Sequence, residues 1–334
     1  MKVKDQVHTE NYSIYNGDCM DVVSELPDNS IDLSIYSPPF ANLYTYSSSH
    51  RDMSNVEDIS QFINQYEYLV KEMSRITKPG RINAIHVTDI CDNSGTLSDF
   101  PNELIKLHTR NGFEYKNRIT IWKEPLKVRI RTMVQSLMHK FIVEDSTKCF
   151  TANPDYILVF KKKGENTTPV KHPFGITHYA GETPILEHMA RAYNNANKTN
   201  FTPSELWDYL NATKEDGKIS KLNHYIWQRY ASGVWDDVRE GNVLSFKNAK
   251  DPDDEKHVTP TQLDVLDRLV DLYSNPKEVV FSPFMGVGSD IYSAVSLGRK
   301  GIGVELKDSY FKQSIENLKD VKFRNNYAKQ ETLF

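Results

Sequence analysis

Apolar side chains recur at Ile59, Phe62, Ile63, Tyr66, Leu69, Val70, Met73 and Ile76, a helical period that predicts an amphipathic helix stopped by Lys78-Pro79-Gly80. Before it, residues 31–36 read as a short strand ended by Ser37-Pro38-Pro39, since proline has no N–H to give a ladder. After it, residues 81–88 read as a second strand. Strand, crossover helix and strand form the unit of a parallel sheet, whose ligands bind at the carboxyl ends of the strands. Ser37 marks such an end. The alternation fades over residues 161–256, a polar stretch broken by Lys163-Gly164, Asp216-Gly217 and Ser232-Gly233, which follows an apolar strand at 156–160. It returns from Pro260. Leu263, Leu266, Leu269, Val270 and Tyr273 mark a helix, and 278–281 a buried strand. A tight loop at 282–289, a short helix at 290–297 closed by Gly298, and a strand at 300–305 follow. The pattern predicts an α/β protein of two Rossmann-like halves, residues 1–160 and 257–325, around an insertion at 161–256, with a tail at 326–334.

Composition narrows the class. The chain has 334 residues, 39% hydrophobic and 26% charged, which is ordinary for a globular protein and excludes disordered, collagen-like and coiled-coil chains. A net charge of −4 excludes a uniformly basic nucleic-acid coat but allows a local basic face. Cys19, Cys91 and Cys149 are too far apart for a disulfide framework or a Cys-x-x-Cys metal site, and read as reduced thiols. The amino terminus lacks a signal-peptide core and no run approaches ~18 apolar residues, so a cytoplasmic location without membrane contact is expected. The acid run Asp251-Pro252-Asp253-Asp254-Glu255 reads as a solvated loop, not a metal site.

Two segments carry chemistry. In the carboxyl-terminal half, Ser282-Pro283-Phe284-Met285-Gly286-Val287-Gly288-Ser289 joins strand to helix, and such a glycine loop lets ligand atoms approach backbone closely. Glu305 ends the next strand, where an acid commonly holds ribose hydroxyls. Ile291 stands where a dinucleotide fingerprint needs glycine, which disfavours nicotinamide and flavin cofactors. In the amino-terminal half, Ser37 Oγ and the Pro38 carbonyl can accept from an exocyclic amine, Pro39 stiffens the turn, and Phe40 can stack on a flat ring.

Taken together, these segments resemble the DNA amino-methyltransferases, in which an Asp, Asn or Ser followed by Pro-Pro and an aromatic is the catalytic motif. The catalytic segment precedes the cofactor loop, as in the family's circularly permuted β group. The resemblance spans roughly residues 11–160 and 257–320. It extends to Asn16-Gly17-Asp18-Cys19, similar to the strand end that contacts the cofactor adenine. It also covers His257-Val258-Thr259-Pro260-Thr261-Gln262, similar to the stretch touching the methionine moiety, and Gly303-Val304-Glu305 on the ribose. It implies a three-layer Rossmann-like S-adenosylmethionine-dependent methyltransferase fold with an inserted target-recognition domain. It further implies methyl transfer from S-adenosyl-L-methionine to a flipped base in double-stranded DNA, cytosine N4 ahead of adenine N6, by a homodimer. Many members open the loop with Asp-Pro-Phe. Ser282 departs from this, so weaker cofactor binding is expected, and a non-catalytic DNA-binding module with the same fold is the rival of another class.

DNA contacts are expected from the basic stretch around Lys127, Arg129 and Arg131, and from Arg229 and Tyr230 in the insertion. The end of the chain, Gln330-Glu331-Thr332-Leu333-Phe334, resembles a sliding-clamp docking peptide through Gln330, Leu333 and Phe334. No nuclease motif is evident, so a solitary, phage-borne modification enzyme is the simplest expectation.

Overall fold

In a computed structural model of the chain, the residues described are 2–40, 53, 55–91, 96–132, 134–173, 175–176, 178–182, 186–212, 221–246, 249 and 259–323. The amino-terminal half contains β1 (Val3–His8), β2 (Tyr12–Gly17), α1 (Cys19–Val23), β3 (Ile31–Tyr36), α2 (Ile59–Ile76) and β4 (Thr77–Thr88). Next come β5 (Ile90–Cys91), β6 (Leu97–Ser98), α3 (Phe100–Arg110), β7 (Phe113–Ile121), α4 (Pro125–Thr132), α5 (Lys140–Glu144) and β8 (Asp155–Lys162). Three helices, α6 (Leu186–Asn197), α7 (Pro203–Ala212) and α8 (Lys221–Tyr230), lead to β9 (Val234–Trp235). The chain then forms α9 (Leu263–Tyr273), β10 (Val279–Ser282), α10 (Ser289–Ser296), β11 (Lys300–Glu305) and α11 (Asp308–Lys319).

Helix α2 forms where the apolar stripe predicts it. Asp58 caps it by accepting the Gln61 N–H at 2.8 Å, and Phe62, Tyr66, Leu69, Val70, Met73 and Ile76 are buried. The proline-glycine stop ends the helix but does not delay the next strand, which begins at Thr77 and not at 81. The reason is a register shift: Ile31 pairs with Thr77 and Leu33 with Ile82, so Pro79 and Gly80 sit in the bulged piece, where no ladder N–H is needed. Gly80 has φ of 74°, and a Cβ there would strike the Asn166 backbone.

The main sheet has nine strands in the order β1-β2-β11-β10-β3-β4-β8-β7-β9. The central five, β2, β11, β10, β3 and β4, are parallel, with β1 antiparallel on one side and the β8–β7 pair antiparallel on the other. Side chains alternate across it. On β8, Leu158 and Phe160 join α2 and α3 residues in one core, whereas Ile157 and Val159 join those of α9 in the other. Helix–sheet–helix layering follows, as the methyltransferase resemblance implies.

The 161–256 stretch is more regular than its sequence suggests. Helices α6, α7 and α8 share a small core of Ile176, Ala190, Leu206, Ile226 and Tyr230. After them the chain rejoins the main sheet: β9 pairs in parallel with β7, and Trp235 is fully buried. Arg268 on α9, itself buried, locks this return by pairing with Asp237 at 2.8 Å and lying over the Tyr230 and Trp235 rings. No helix among the described residues is long and apolar enough to cross a membrane.

Candidate active site

The parallel strands end on one edge of the sheet, and most of the predicted residues gather there. β3 delivers Ser37, Pro38, Pro39 and Phe40, of which Pro38 is buried and the others half-buried. The Ser37 hydroxyl donates to the His86 carbonyl at 3.0 Å, which leaves its oxygen lone pairs to accept from a ligand. Phe40 meets Phe100 edge-on, ring centroids 6.5 Å apart, at the margin of the core.

Beside β3, β10 delivers the glycine loop. Gly286 and Gly288 adopt φ of 54° and 89°, a left-handed conformation that glycine takes without strain. A Cβ on Gly286 would meet nothing within 4 Å, so space remains above this turn. Its N–H donates to Glu305 Oε2 at 2.9 Å and the Lys307 N–H donates to Oε1 at 2.8 Å, which fixes the carboxylate at the end of β11. Gly301 and Gly303 on β11 face Ile291, whose side chain fills the space a Cβ would need. Ile291 is thus a packing residue where a dinucleotide fold would carry glycine. Phe284 meets Tyr36 edge-on at 6.0 Å, joining the loop to β3.

The neighbouring strand end completes the cleft. Asn16 lies opposite Glu305 in register and donates to its carbonyl at 3.0 Å, while Asp18 caps α1 by accepting the Met20 N–H at 2.9 Å. The Cys19 side chain packs into the core, and burial with Asp18 beside it pushes its thiol up. Thr261 and Gln262 lead into α9. Gln262 Oε1 and Ser289 Oγ are buried with no hydrogen-bond partner among the described residues. Orphaned buried acceptors cost roughly 1–3 kcal/mol each. An open glycine turn, a fixed carboxylate and two orphaned oxygens suit a polar, nucleoside-bearing cofactor.

Ser282 has a partner that the sequence did not reveal. Its hydroxyl donates to Asp290 Oδ2 at 2.6 Å, both groups being buried. Burial pushes the Asp290 carboxyl up to about 7, against the pull of the Ser282 bond. A carboxyl therefore lies at the floor of the loop although its first residue is serine.

A second cluster also escaped sequence reading. The His86 ring lies between Asp155 Oδ2, 3.1 Å from Nε2, and Thr261 Oγ1, 3.2 Å from Nδ1, with Lys123 on the other Asp155 oxygen. Burial would raise the Asp155 carboxyl, but the His86 ring and the Lys123 ammonium outweigh it and hold it well below the usual range. One residue thus holds the Ser37 hydroxyl through its carbonyl and touches the Thr261 segment through its ring. A polar side chain within the apolar run Ile85-His86-Val87 was the available signal.

Residues 31–316 match the family model of the N6/N4 DNA methylases. The chain belongs to that family. Among curated DNA methylases, it is 22% identical to the type II methyltransferase M.BglII of Bacillus subtilis over 96% of this chain and 72% of that one. It is 24% identical to M.BamHI of Bacillus amyloliquefaciens over 100% of this chain and 64% of that one, and so spans about two thirds of that relative's length. The fold is shared with the PvuII cytosine-N4-specific DNA methyltransferase, at TM-score 0.58, 16% identity and coverage of 99% and 93%. A Thermus thermophilus protein solved with S-adenosyl-L-methionine matches at TM-score 0.56, 18% identity and coverage of 94% and 98%.

Not every expected residue of this methylase reaches the cleft. Tyr230 is a correction: 2% exposed, it donates to the His178 carbonyl and accepts the Ala180 N–H, so it belongs to the helical core and not to a DNA surface. Arg229 is occupied by Asp236 and Asp237. Lys127 and Arg129 lie on α4; Lys127 is well exposed, with a Glu240 carboxylate oxygen 3.7 Å from its ammonium. Arg131 belongs to the same helix, but its side chain lies outside the described residues, as do His257 and Gln330, Leu333 and Phe334 entirely.

Proposed function

We propose that this DNA methylase transfers a methyl group from S-adenosyl-L-methionine to the exocyclic amine of a base flipped out of double-stranded DNA, with cytosine N4 as its target. The observation that carries the reading is the Ser37 hydroxyl, whose proton is committed to the His86 carbonyl at 3.0 Å. Its oxygen is then an acceptor, and the serine orients the amine without attacking anything. An aromatic amine is a weak nucleophile because its lone pair is delocalised into the ring. Donating its N–H bonds to Ser37 Oγ and the Pro38 carbonyl localises that pair and aligns it. Phe40 offers a ring to the extruded base. When bound, the cofactor supplies an electrophilic sulfonium methyl. Holding it falls to Asp18 and Glu305 on the adenosine side, and to Thr261, Gln262, Ser282, Ser289 and the Gly286–Gly288 turn on the other. The orphaned Gln262 and Ser289 oxygens support that assignment.

The choice of base rests on the Ser-Pro-Pro form of the motif. The fold relative from PvuII is cytosine-N4-specific, whereas a relative of 22% identity from Escherichia coli K12 is a DNA adenine methyltransferase. Expression in a host without DNA methylation, followed by single-molecule sequencing, tests the reading. N4-methylcytosine at one recurring motif is expected. N6-methyladenine would keep the mechanism and overturn the base, and an unmodified genome from soluble, cofactor-binding protein would favour the non-catalytic module.

A further inference from the structure

Between β7 and β8 the chain makes an excursion, residues 122–154, that has no core of its own. None of its described side chains is buried. Thirteen large hydrophobic residues are exposed among those described, and seven lie in this excursion: Trp122, Leu126, Ile130, Val134, Ile142, Val143 and Phe150. Ile130 is 70% and Val143 78% exposed. Exposed apolar side chains at this density mark an interaction surface.

Charge and position identify the partner. The excursion carries six Lys and Arg against three acids, a surplus of three positive charges in a chain whose net charge is −4. On α4, Leu126 and Ile130 lie one turn apart, and Lys127 and Arg129 flank that stripe. Its foot stands at the active site. Lys123 pairs with Asp155, Glu124 binds Glu240 through its N–H at 3.1 Å, and a cavity of about 80 Å³ separates Trp122, Lys123 and Lys127 from Gln262. A second copy docked through this same surface would set two positive surfaces against each other. A polyanion whose bases can receive apolar side chains fits both features.

We propose that residues 122–154 form an arm that grips duplex DNA beside the flipped base, its cations on phosphates and its apolar side chains against unstacked base pairs. The inference rests on the DNA-methylase reading and locates the grip outside the 161–256 insertion. Apolar wedges that unstack a base step repay their cost by exposing the target nucleotide.

Two paired variants test it in the full chain: Lys127→Glu with Arg129→Glu, and Ile142→Ser with Val143→Ser. Because the arm buries none of its described side chains, both proteins should fold, and calorimetry should return an S-adenosyl-L-methionine affinity within about twofold of wild type. Binding to a fluorescent 30-base-pair duplex is then read by anisotropy across a salt series. The charge reversal should weaken binding at least about tenfold and lower the salt slope by roughly two, one per lost phosphate contact. The serine pair should weaken it several-fold with the slope unchanged. Wild-type affinity and slope in both variants would overturn the arm alone. So would an effect confined to anionic vesicles or to the oligomeric state. A wild-type protein that binds no duplex at all would overturn the methylase reading itself.

Discussion

The two ends of the parallel sheet treat buried polar groups in opposite ways. At the amino ends of β3, β4 and β10, Arg81 is 2% exposed and donates to the Asp32 and Thr168 carbonyls, both at 3.0 Å, while pairing with Glu278. Asp32 takes Lys78 at 2.6 Å and the Val279 N–H at 3.0 Å. The charges of Arg81, Asp32 and Glu278 are answered from within the chain. At the carboxyl ends, Gln262 Oε1 and Ser289 Oγ have no hydrogen-bond partner among the described residues, and a Cβ on Gly286 would meet none of them within 4 Å. Satisfied groups hold strands from distant parts of the chain in register, and the orphaned oxygens lie at the sheet edge where α/β folds bind ligands.

That contrast can be broken from either side. Arg81→Ala should do the most damage to stability, about 3–5 kcal/mol by urea unfolding, because it removes a buried cation that pairs with Glu278 and donates to the Asp32 and Thr168 carbonyls. Cofactor affinity per folded molecule should not change. Ser37→Ala should do the reverse, lowering turnover about a hundredfold, the scale of one positioned transition-state group, with the melting temperature nearly unmoved. A large thermal shift with intact turnover would make Ser37 structural. Asp290→Asn should alter the pH dependence of stability. Since burial raises this carboxyl to about 7 in the folded protein, its contribution is complete below the unfolded value near 4 and is lost as pH rises to 7. The variant should therefore gain about 1.4 kcal/mol on wild type per pH unit between 4 and 7 and level off above. Parallel stability curves would refute the assignment. Gly286→Ala should cost roughly 1–2 kcal/mol from its φ of 54° and weaken cofactor binding by calorimetry. Unchanged affinity would mean that no ligand approaches that turn.

What the sequence made legible was contiguous. α2, β3 and β11 follow from period alone, and Ser37, Gly286 and Glu305 from short motifs at predicted strand ends. What it hid depends on pairing at a distance. His86 meets Asp155 because β4 and β8 run antiparallel with Thr88 opposite Asp155, a register no local pattern encodes. Asp290 meets Ser282 only after the glycine loop doubles back. β9 is two residues long and has no period to read, and α6 to α8 are short helices in a polar stretch broken by turns. Tyr230 looked like a surface residue for the same reason: the partners that bury it, His178 and Arg268, stand on segments far from it in the chain.

The strand order also governs how the protein is born. β2 and β3 are neighbours in sequence, yet β11 and β10 lie between them in the sheet. Those two strands emerge roughly 240 residues after β3, on the order of 10–50 s later at 5–20 residues per second. Throughout that interval a nascent chain carries two facing, unfilled strand edges, each a template for wrong partners. The same arrangement brings the Ser37 edge and the glycine loop together only at the last step of sheet closure. A chain truncated before β10 would therefore have no active site, and its open sheet would be prone to aggregation.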